Sequence, residues 1–286
     1  MALITVNCFS SMLMRTVPIN VILPVDKQVE AVRAEEDGAR YVPNEPAGGF
    51  KTLYLLHGIF GNYTDWVSGT CIQRWAEERD LAVVMPSGDN MFYLDQSAAH
   101  DYYGRFIGEE LVALTRAMFP LSRRREDTFI GGLSMGGYGA LRNGLKYAKT
   151  FGAIASMSGA LLVDGVSERT DDTSRFFQSR RFAKAVYGDP DAVAGSDRDP
   201  LWLAGRLVAS GGPLPRIYVS CGTEDSLLAA NRDVARELGA QGFSVTYEET
   251  SGGHTWEYWN RAIERVVDWL PLDEPVMGIG SGNVHV

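Results

Sequence analysis

The chain is poor in the residues that would tie it to a metal, a disulfide framework or a membrane. Among 286 residues there are three cysteines, Cys8, Cys71 and Cys221, and four histidines. An odd, scattered set of cysteines without a CxxC pair argues against a disulfide scaffold and gives no sign of a zinc or redox site. Cys221 stands in an apolar run and is expected in the core. No apolar stretch is long enough to span a bilayer. The opening residues do not read as a secretory signal: Arg15 interrupts them, and the apolar residues that follow alternate as in a strand. A cytoplasmic location is expected. Basic residues are also in deficit, with 27 Lys and Arg against 36 Asp and Glu and a formal net charge of −9. Without a basic surface the chain is a poor partner for nucleic acid or an anionic membrane.

What is present is an ordinary globular composition, 45% hydrophobic and 22% charged, sufficient for a sizeable core. α/β units of this length often form one body, so a single domain over residues 1–286 is expected. Residues 3–8 and 16–23 read as an opening antiparallel pair of strands. Residues 26–49 are polar and rich in Glu, Gly and Pro, as in a long surface loop. From residue 52 a β-then-α rhythm sets in. Apolar runs at 52–56, 81–85, 127–131, 151–157, 216–221 and 244–249 predict strands. The first two are apolar throughout, as in strands covered on both faces. Residues 71–79, 106–118, 137–147, 228–238 and 256–270 predict helices. Alternation of this kind implies an α/β fold, a mostly parallel central sheet with helices on both faces. Ligands of such sheets sit beyond the carboxyl ends of the strands.

Residues 159–212 break the rhythm. The segment is long and rich in charge and aromatics, including Arg169, Arg175, Phe176, Phe177, Phe182, Tyr187 and Trp202. It leaves one strand's carboxyl end and returns before the next, which places it over the expected site. A lid-like insertion is one reading; a helical excursion whose aromatics pack on the body is the other.

Gly132-x-Ser134-x-Gly136 fits a nucleophile elbow, in which a serine stands clear of the sheet on a sharp strand-to-helix turn and small flanking residues let the strand and helix approach. The pattern is weak alone in a chain with 31 glycines. Its context strengthens it, because an apolar strand runs into it and a helix follows at once. A Gly-rich turn with a serine helix cap is the plain alternative. A serine hydroxyl needs a base. His285 lies in the tail, His100 in a polar segment, and His57 at a strand end before Gly58. His254 lies in a glycine loop between the last strand and the last helix, where a base is required. The orienting acid is expected between serine and histidine in the chain. Residues 216–221 end in Gly222-Thr223-Glu224-Asp225, so Asp225 is the first choice and Glu224 its neighbouring rival; a helix cap is the structural alternative for Asp225. An oxyanion needs backbone donors. Met135 follows the nucleophile, and Ile59 follows the His57-Gly58 pair at the end of the first buried strand. His57 is then a hydrogen-bonding residue of the loop, not a second base.

Four segments together carry a resemblance: Tyr54-Leu55-Leu56-His57-Gly58, Gly132-Leu133-Ser134-Met135-Gly136-Gly137, Cys221-Gly222-Thr223-Glu224-Asp225 and Gly252-Gly253-His254-Thr255-Trp256-Glu257-Tyr258-Trp259. In order and context they resemble the esterase D-like family of α/β hydrolases. That group includes tributyrin esterases, family-1 carbohydrate esterases (feruloyl and acetyl-xylan esterases) and S-formylglutathione hydrolases. The tributyrin esterase branch is the nearest, and Gly195-Ser196-Asp197-Arg198-Asp199 is similar to it too. The likeness runs from about residue 16 to 270. It implies the α/β-hydrolase fold, a Ser134-His254-Asp225 triad with Asp225 preferred over Glu224, and no metal or organic cofactor. It further implies a serine carboxylesterase acting on short-chain acyl or hydroxycinnamoyl esters. The expected partner is a small-molecule or carbohydrate-linked ester, and a homo-oligomer is allowed for. Trp202 and Trp256 are candidate pocket walls. Two departures bear on substrate: the 26–49 loop is longer than usual in the family, and Thr255 stands where an aspartate often follows the histidine. The alternatives are an S-formylglutathione hydrolase-like thioesterase, an acyltransferase with the same triad and, more remotely, a non-catalytic binding module.

Overall fold

The computed structural model describes residues 1–27, 43–163, 165–276 and 278. In chain order the elements are β1 (Ala2–Ser10), β2 (Arg15–Leu23), β3 (Lys51–Leu56), α1 (Asp65–Gly69), α2 (Ile72–Glu78), β4 (Leu81–Pro86), a two-residue ribbon of β5 (Asp95–Gln96) and β6 (Asp101–Tyr102), α3 (Tyr103–Arg105), α4 (Leu111–Met118), β7 (Thr128–Leu133), α5 (Met135–Lys146), β8 (Ala153–Met157), α6 (Arg180–Tyr187), α7 (Pro200–Ala209), β9 (Arg216–Gly222), α8 (Leu228–Ala240), β10 (Val245–Thr250) and α9 (Trp256–Trp269). The main sheet has eight strands in the order β1-β2-β4-β3-β7-β8-β9-β10. β1 pairs with β2, and β2 with β4, antiparallel; every later pairing is parallel. Most of the 26–49 loop lies outside the described residues. Among those described, no helix is long and apolar enough to cross a membrane.

The central strands are apolar at consecutive positions because both faces are covered. Tyr54 and Leu56 of β3, Val84 of β4 and Ile130 of β7 pack into one core with Leu141 and Leu238. Their chain neighbours Leu53, Leu55, Val83 and Phe129 enter the other, with Ile72, Trp75, Ile263 and Val266. The period-two alternation of a strand thus divides one apolar run between two cores. α5 crosses the middle of the sheet and is buried over 11 of its 12 residues. Cys221 is fully buried, and burial pushes its thiol up to about 12.

One expected helix is remodelled. Residues 106–118 do not form a single α-helix: a π-helical turn, Phe106–Glu110, precedes α4. Its last residue, Glu110, accepts hydrogen bonds from the Ser10 hydroxyl and from the Ser11 and Met12 N–H groups (2.7 and 3.3 Å) in the β1–β2 turn. A π-turn widens the helix locally and re-aims a side chain, here towards donors in the hairpin.

The 159–212 segment carries α6 and α7 and is fastened to α5. Arg142, 1% exposed, donates from Nε to the Asp197 carbonyl (2.8 Å) and from Nη2 to its carboxylate (2.7 Å). Lys146 reaches the same carboxylate at 2.8 Å, and the Tyr138 hydroxyl donates to the Arg198 carbonyl. Burial opposes ionisation of Asp197, but Lys146 and Arg142 outweigh it and hold the pKa below the usual value. Asp199 caps α7 through the N–H groups of Leu201 and Trp202.

Two glycines of opposite kind test this packing. A Cβ on Gly136 would lie 2.4 Å from the Leu56 carbonyl oxygen, whereas one on Gly205, inside α7, meets only Gln241 at 3.7 Å. Gly136→Ala is expected to lower stability by about 1–3 kcal/mol through overpacking. Gly205→Ala is expected to raise it by about 0.4–1 kcal/mol through the unfolded-state entropy. Denaturant unfolding of both variants checks the two signs.

Candidate active site

Ser134 joins β7 to α5 with φ 53° and ψ −117°, a conformation that L-residues adopt at a cost. Neighbouring backbone holds it there: its N–H donates to the Met157 carbonyl (2.9 Å), and its carbonyl accepts from Tyr138 N–H (3.1 Å) and Ala160 N–H (2.9 Å). Strand and helix converge so closely that a Cβ on Gly132 would lie 2.4 Å from the Gly136 carbonyl oxygen.

Asp225 follows the end of β9. It is 5% exposed, and its Oδ1 accepts from the Leu227 N–H at 2.9 Å. Its Oδ2 lies 2.8 Å from His254 Nδ1, and His254 Nε2 lies 3.0 Å from Ser134 Oγ. An ionised carboxylate only accepts, so Nδ1 carries the proton and Nε2 is left to accept from the serine hydroxyl. Burial works against the Asp225 charge. The hydrogen bonds from His254 and Leu227, with Ser158 beside them, overcome it and keep the carboxyl pKa below its ordinary value.

The loop that carries His254 is packed hard on the end of β9, where a Cβ on Gly222 would lie 1.9 Å from the Gly252 carbonyl oxygen. Gly252 takes φ 140°, which glycine accommodates. Glu224, the rival acid, accepts from the Gly252 N–H and from the Thr223 hydroxyl (2.8 Å). It braces the histidine's loop and makes no hydrogen bond to the imidazole. Trp259 stands edge-on to the His254 ring at 4.8 Å between centroids. The spacing of α9 assigns this tryptophan to the core; the structure puts it in the core and against the imidazole at once.

His57 is 1% exposed and locked between backbone groups: Nδ1 is 2.6 Å from the Gly58 carbonyl oxygen, and Nε2 accepts from the Gly88 N–H at 2.8 Å. It joins the loop after β3 to the loop after β4, a structural task. Ile59 and Met135 both line the cleft with Ser134 and His254. Neither backbone N–H is engaged by a backbone acceptor among the described residues. His100 lies apart, with its ring against Tyr102, and His285 is outside the described residues.

The cleft holds about 650 Å³. Its floor is Leu133, Ser134 and Met135, and Leu227, Trp256 and Trp259 form apolar wall on the side of the last strands. The 159–212 segment adds Leu162, Arg169, Arg175, Phe177 and Gln178. Phe60, beside Ile59, has φ 71° and packs against Phe176 and Phe177 at 5.9 and 5.8 Å. Trp256 is where the sequence reading puts it. Trp202 is not: α7 turns Leu203 and Ala204 inward and leaves Trp202 39% exposed under the Arg206 guanidinium, away from the cleft. Phe60, Phe92, Phe177 and the two arginines were not individually assigned to the cleft from sequence. They converge through tertiary contacts, and the only local sign is the aromatic and basic density of residues 169–187.

Burial holds the His57 pKa below its ordinary value. Between that value and about 6.5 the unfolded chain binds more protons than the native one, so stability rises with pH across this window and is lost as pH falls. Urea unfolding at about pH 5 and about pH 7 is expected to show this loss, and His57→Gln to flatten it.

A family model described as "Putative esterase" matches residues 34–270. The chain is 42% identical over 270 residues to an acetyl esterase of Caldicellulosiruptor saccharolyticus, covering 94% of this chain and 98% of that protein. Among solved structures, the fluorophosphonate-binding serine hydrolase F of Staphylococcus aureus superposes with a TM-score of 0.78 at 30% identity, over 94% of this chain and 98% of that one. An S-formylglutathione hydrolase of the same organism gives 0.75 at 29% identity over the same shares. The sheet order and the parallel core are those of the α/β-hydrolase fold that such serine hydrolases share. The chain belongs to this esterase family, within the esterase D-like α/β hydrolases, and is a carboxylic ester hydrolase.

Proposed function

We propose that the chain hydrolyses short-chain acyl esters, acetyl esters foremost, with Ser134 as nucleophile, His254 as general base and acid, and Asp225 as the group that orients the histidine. The observation that carries this reading is the continuous hydrogen-bonded path from Asp225 through His254 to Ser134 at the floor of an apolar cleft. The acetyl esterase relative supports the acyl group.

In the first step His254 Nε2 takes the Ser134 proton as Oγ attacks the ester carbonyl. The imidazolium that forms is stabilised by the Asp225 carboxylate, which remains ionised. The N–H groups of Ile59 and Met135 serve as the oxyanion hole, and each donor contributes on the order of 3 kcal/mol to the barrier reduction. Collapse of the tetrahedral intermediate breaks the C–O bond, and the imidazolium proton passes to the leaving alcohol. Water, deprotonated by the same nitrogen, then attacks the acyl-enzyme, and the proton returns to Ser134 as the acid leaves. The chemistry runs on side chains and backbone alone. Residues 159–212 act as the cover that supplies the outer wall. The body is one domain with this insertion, in a protein of the cytoplasm.

Hydroxycinnamoyl esters are a second reading, carried by the aromatic edges of Phe60, Phe177 and Trp256 around the cleft. A panel of p-nitrophenyl acetate, butyrate and octanoate, methyl ferulate and acetylated xylan separates the two. The expected ranking puts acetate and butyrate first; methyl ferulate at the head of the panel reverses the assignment. Ser134→Ala is expected to remove all but a trace of turnover and of fluorophosphonate labelling. Asp225→Asn is expected to cut kcat by about 10⁴-fold while leaving the fold intact, because the amide stabilises the wrong imidazole tautomer. Retention of most activity in either variant would overturn the triad.

A further inference from the structure

Two arginines face the cleft of a strongly acidic protein. Arg169 and Arg175 both line it, on the 159–212 segment. Many of the chain's other arginines are paired with carboxylates, for example Arg142 with Asp197, Arg180 with Asp191 and Arg232 with Glu249. These two are not. Arg169 donates from Nη1 to the Phe177 carbonyl (3.2 Å) and lies over the Tyr187 ring at 5.9 Å, neutral contacts that fix the guanidinium without neutralising it. Arg175 has no carboxylate within ion-pair distance among the described residues, and its backbone N–H is held by the Thr173 hydroxyl at 3.2 Å. The nearby Asp171 carboxylate accepts from the Arg181 N–H instead. One carboxylate, Asp65, also lines the cleft, but on the element after the 57–61 loop, where it accepts from the Asn62 N–H at 3.2 Å. Among the described residues, the charged side chains that the insertion contributes to the cleft lining are thus these two arginines.

We propose that Arg169 and Arg175 form an anion subsite, and that the best substrates carry an anionic oxygen group on the part of the ester remote from the scissile bond. The proposal rests on the esterase reading above and narrows its substrate class. A guanidinium meets a carboxylate or phosphate with parallel hydrogen bonds. Arg169 is already ordered, so less side-chain entropy is lost when it binds. Two positive charges on the wall of a cleft, in a protein of net charge −9, also give anionic substrates a local attraction that the net charge opposes. Gln178, three residues after Arg175 and also on the wall, adds a neutral donor and acceptor.

The test uses matched acetyl esters with anionic and neutral leaving groups: 4-acetoxybenzoate, its methyl ester and 4-acetoxyphenyl phosphate. Each kcat/KM is divided by the hydroxide-catalysed rate of the same ester, which removes intrinsic reactivity. The wild type is expected to favour the anionic esters by about tenfold, the size of one partly exposed charge-assisted contact. The ratio of carboxylate to phosphate tells which anion the site prefers. Raising the salt from about 0.01 M to about 1 M is expected to erase most of the preference by screening. Arg175→Gln is expected to reduce it and Arg175→Glu to invert it; in each variant the anionic esters are compared with the neutral methyl ester measured on the same protein, so that a general loss of turnover cancels. Arg169→Gln is expected to act in the same direction; the Arg175 variants carry the test if loss of the Phe177 contact disturbs the insertion. A wild type that prefers the neutral methyl ester, or an anion preference unchanged in Arg175→Glu, overturns the subsite while leaving the esterase reading in place. A wild type that hydrolyses none of these esters, p-nitrophenyl acetate included, takes both down.

Discussion

Everything in the cleft depends on one backbone conformation, the turn at Ser134. Its φ of 53° is paid for by contacts on three sides: the Met157 carbonyl, the first turn of α5, and the Ala160 N–H. Such strain persists only where the surroundings over-determine it. Gly132 and Gly136 are the condition for those surroundings, because a side chain at either would push β7, α5 and the end of β3 apart. The same close approach puts the Met135 N–H, without an acceptor among the described residues, at the first helical position, where the helix dipole adds partial positive charge. Strain, donor and the presentation of the Ser134 hydroxyl to the cleft are consequences of one packing arrangement.

The second constraint is electrostatic. A carboxylate at 5% exposure is costly unless hydrogen bonds replace its water. Asp225 is held by a backbone N–H on one oxygen and by His254 on the other, and the outcome is a carboxyl that stays ionised in spite of burial. That charge sets the tautomer of His254 and so leaves Nε2 as the acceptor facing the Ser134 hydroxyl. Glu224 contributes from one residue away, through the Gly252 N–H, by fixing the loop that presents the imidazole. Adjacent acids thus divide the labour: one orients the ring and the other orients its backbone.

Much of this is legible in the residues. The strands that hold the site are apolar runs bounded by glycines, and their alternation into two cores follows from period two. Ser134, Asp225 and His254 each stand at the carboxyl end of a strand, where a parallel sheet presents its loops, and the structure brings the three into hydrogen-bonding contact. What was not legible depends on distant partners. The π-turn at Phe106–Glu110 answers donors in a hairpin about a hundred residues earlier, and helical spacing cannot register such a contact. Trp202 looks like a wall residue because it is aromatic and lies in the insertion, yet the facing of α7 depends on where Asp197 and Asp199 anchor its start. Phe60 and Phe177 meet across more than a hundred residues, and neither has a local pattern that announces it.

The division between sheet and insertion has a mechanistic consequence. The groups proposed to react sit on strand ends that cannot shift without breaking a close-packed core, whereas the outer wall sits on an insertion that packs onto that core from outside the sheet. One of its fastenings is Arg142, a guanidinium at 1% exposure whose charge is met by the Asp197 carboxylate and carbonyl. A pair buried on one side is poor evidence for net stability, since desolvation offsets much of the attraction. Its value here is register. Because Arg142 lies on the helix that follows Ser134, the same rigid element that aims the proposed nucleophile also sets where the insertion begins its return over the cleft. Wall and nucleophile are therefore indexed to one helix. Under the proposed function, substitutions at wall residues such as Leu162, Arg169 and Phe177 alter which ester fits while the Asp225–His254–Ser134 geometry stays as it is.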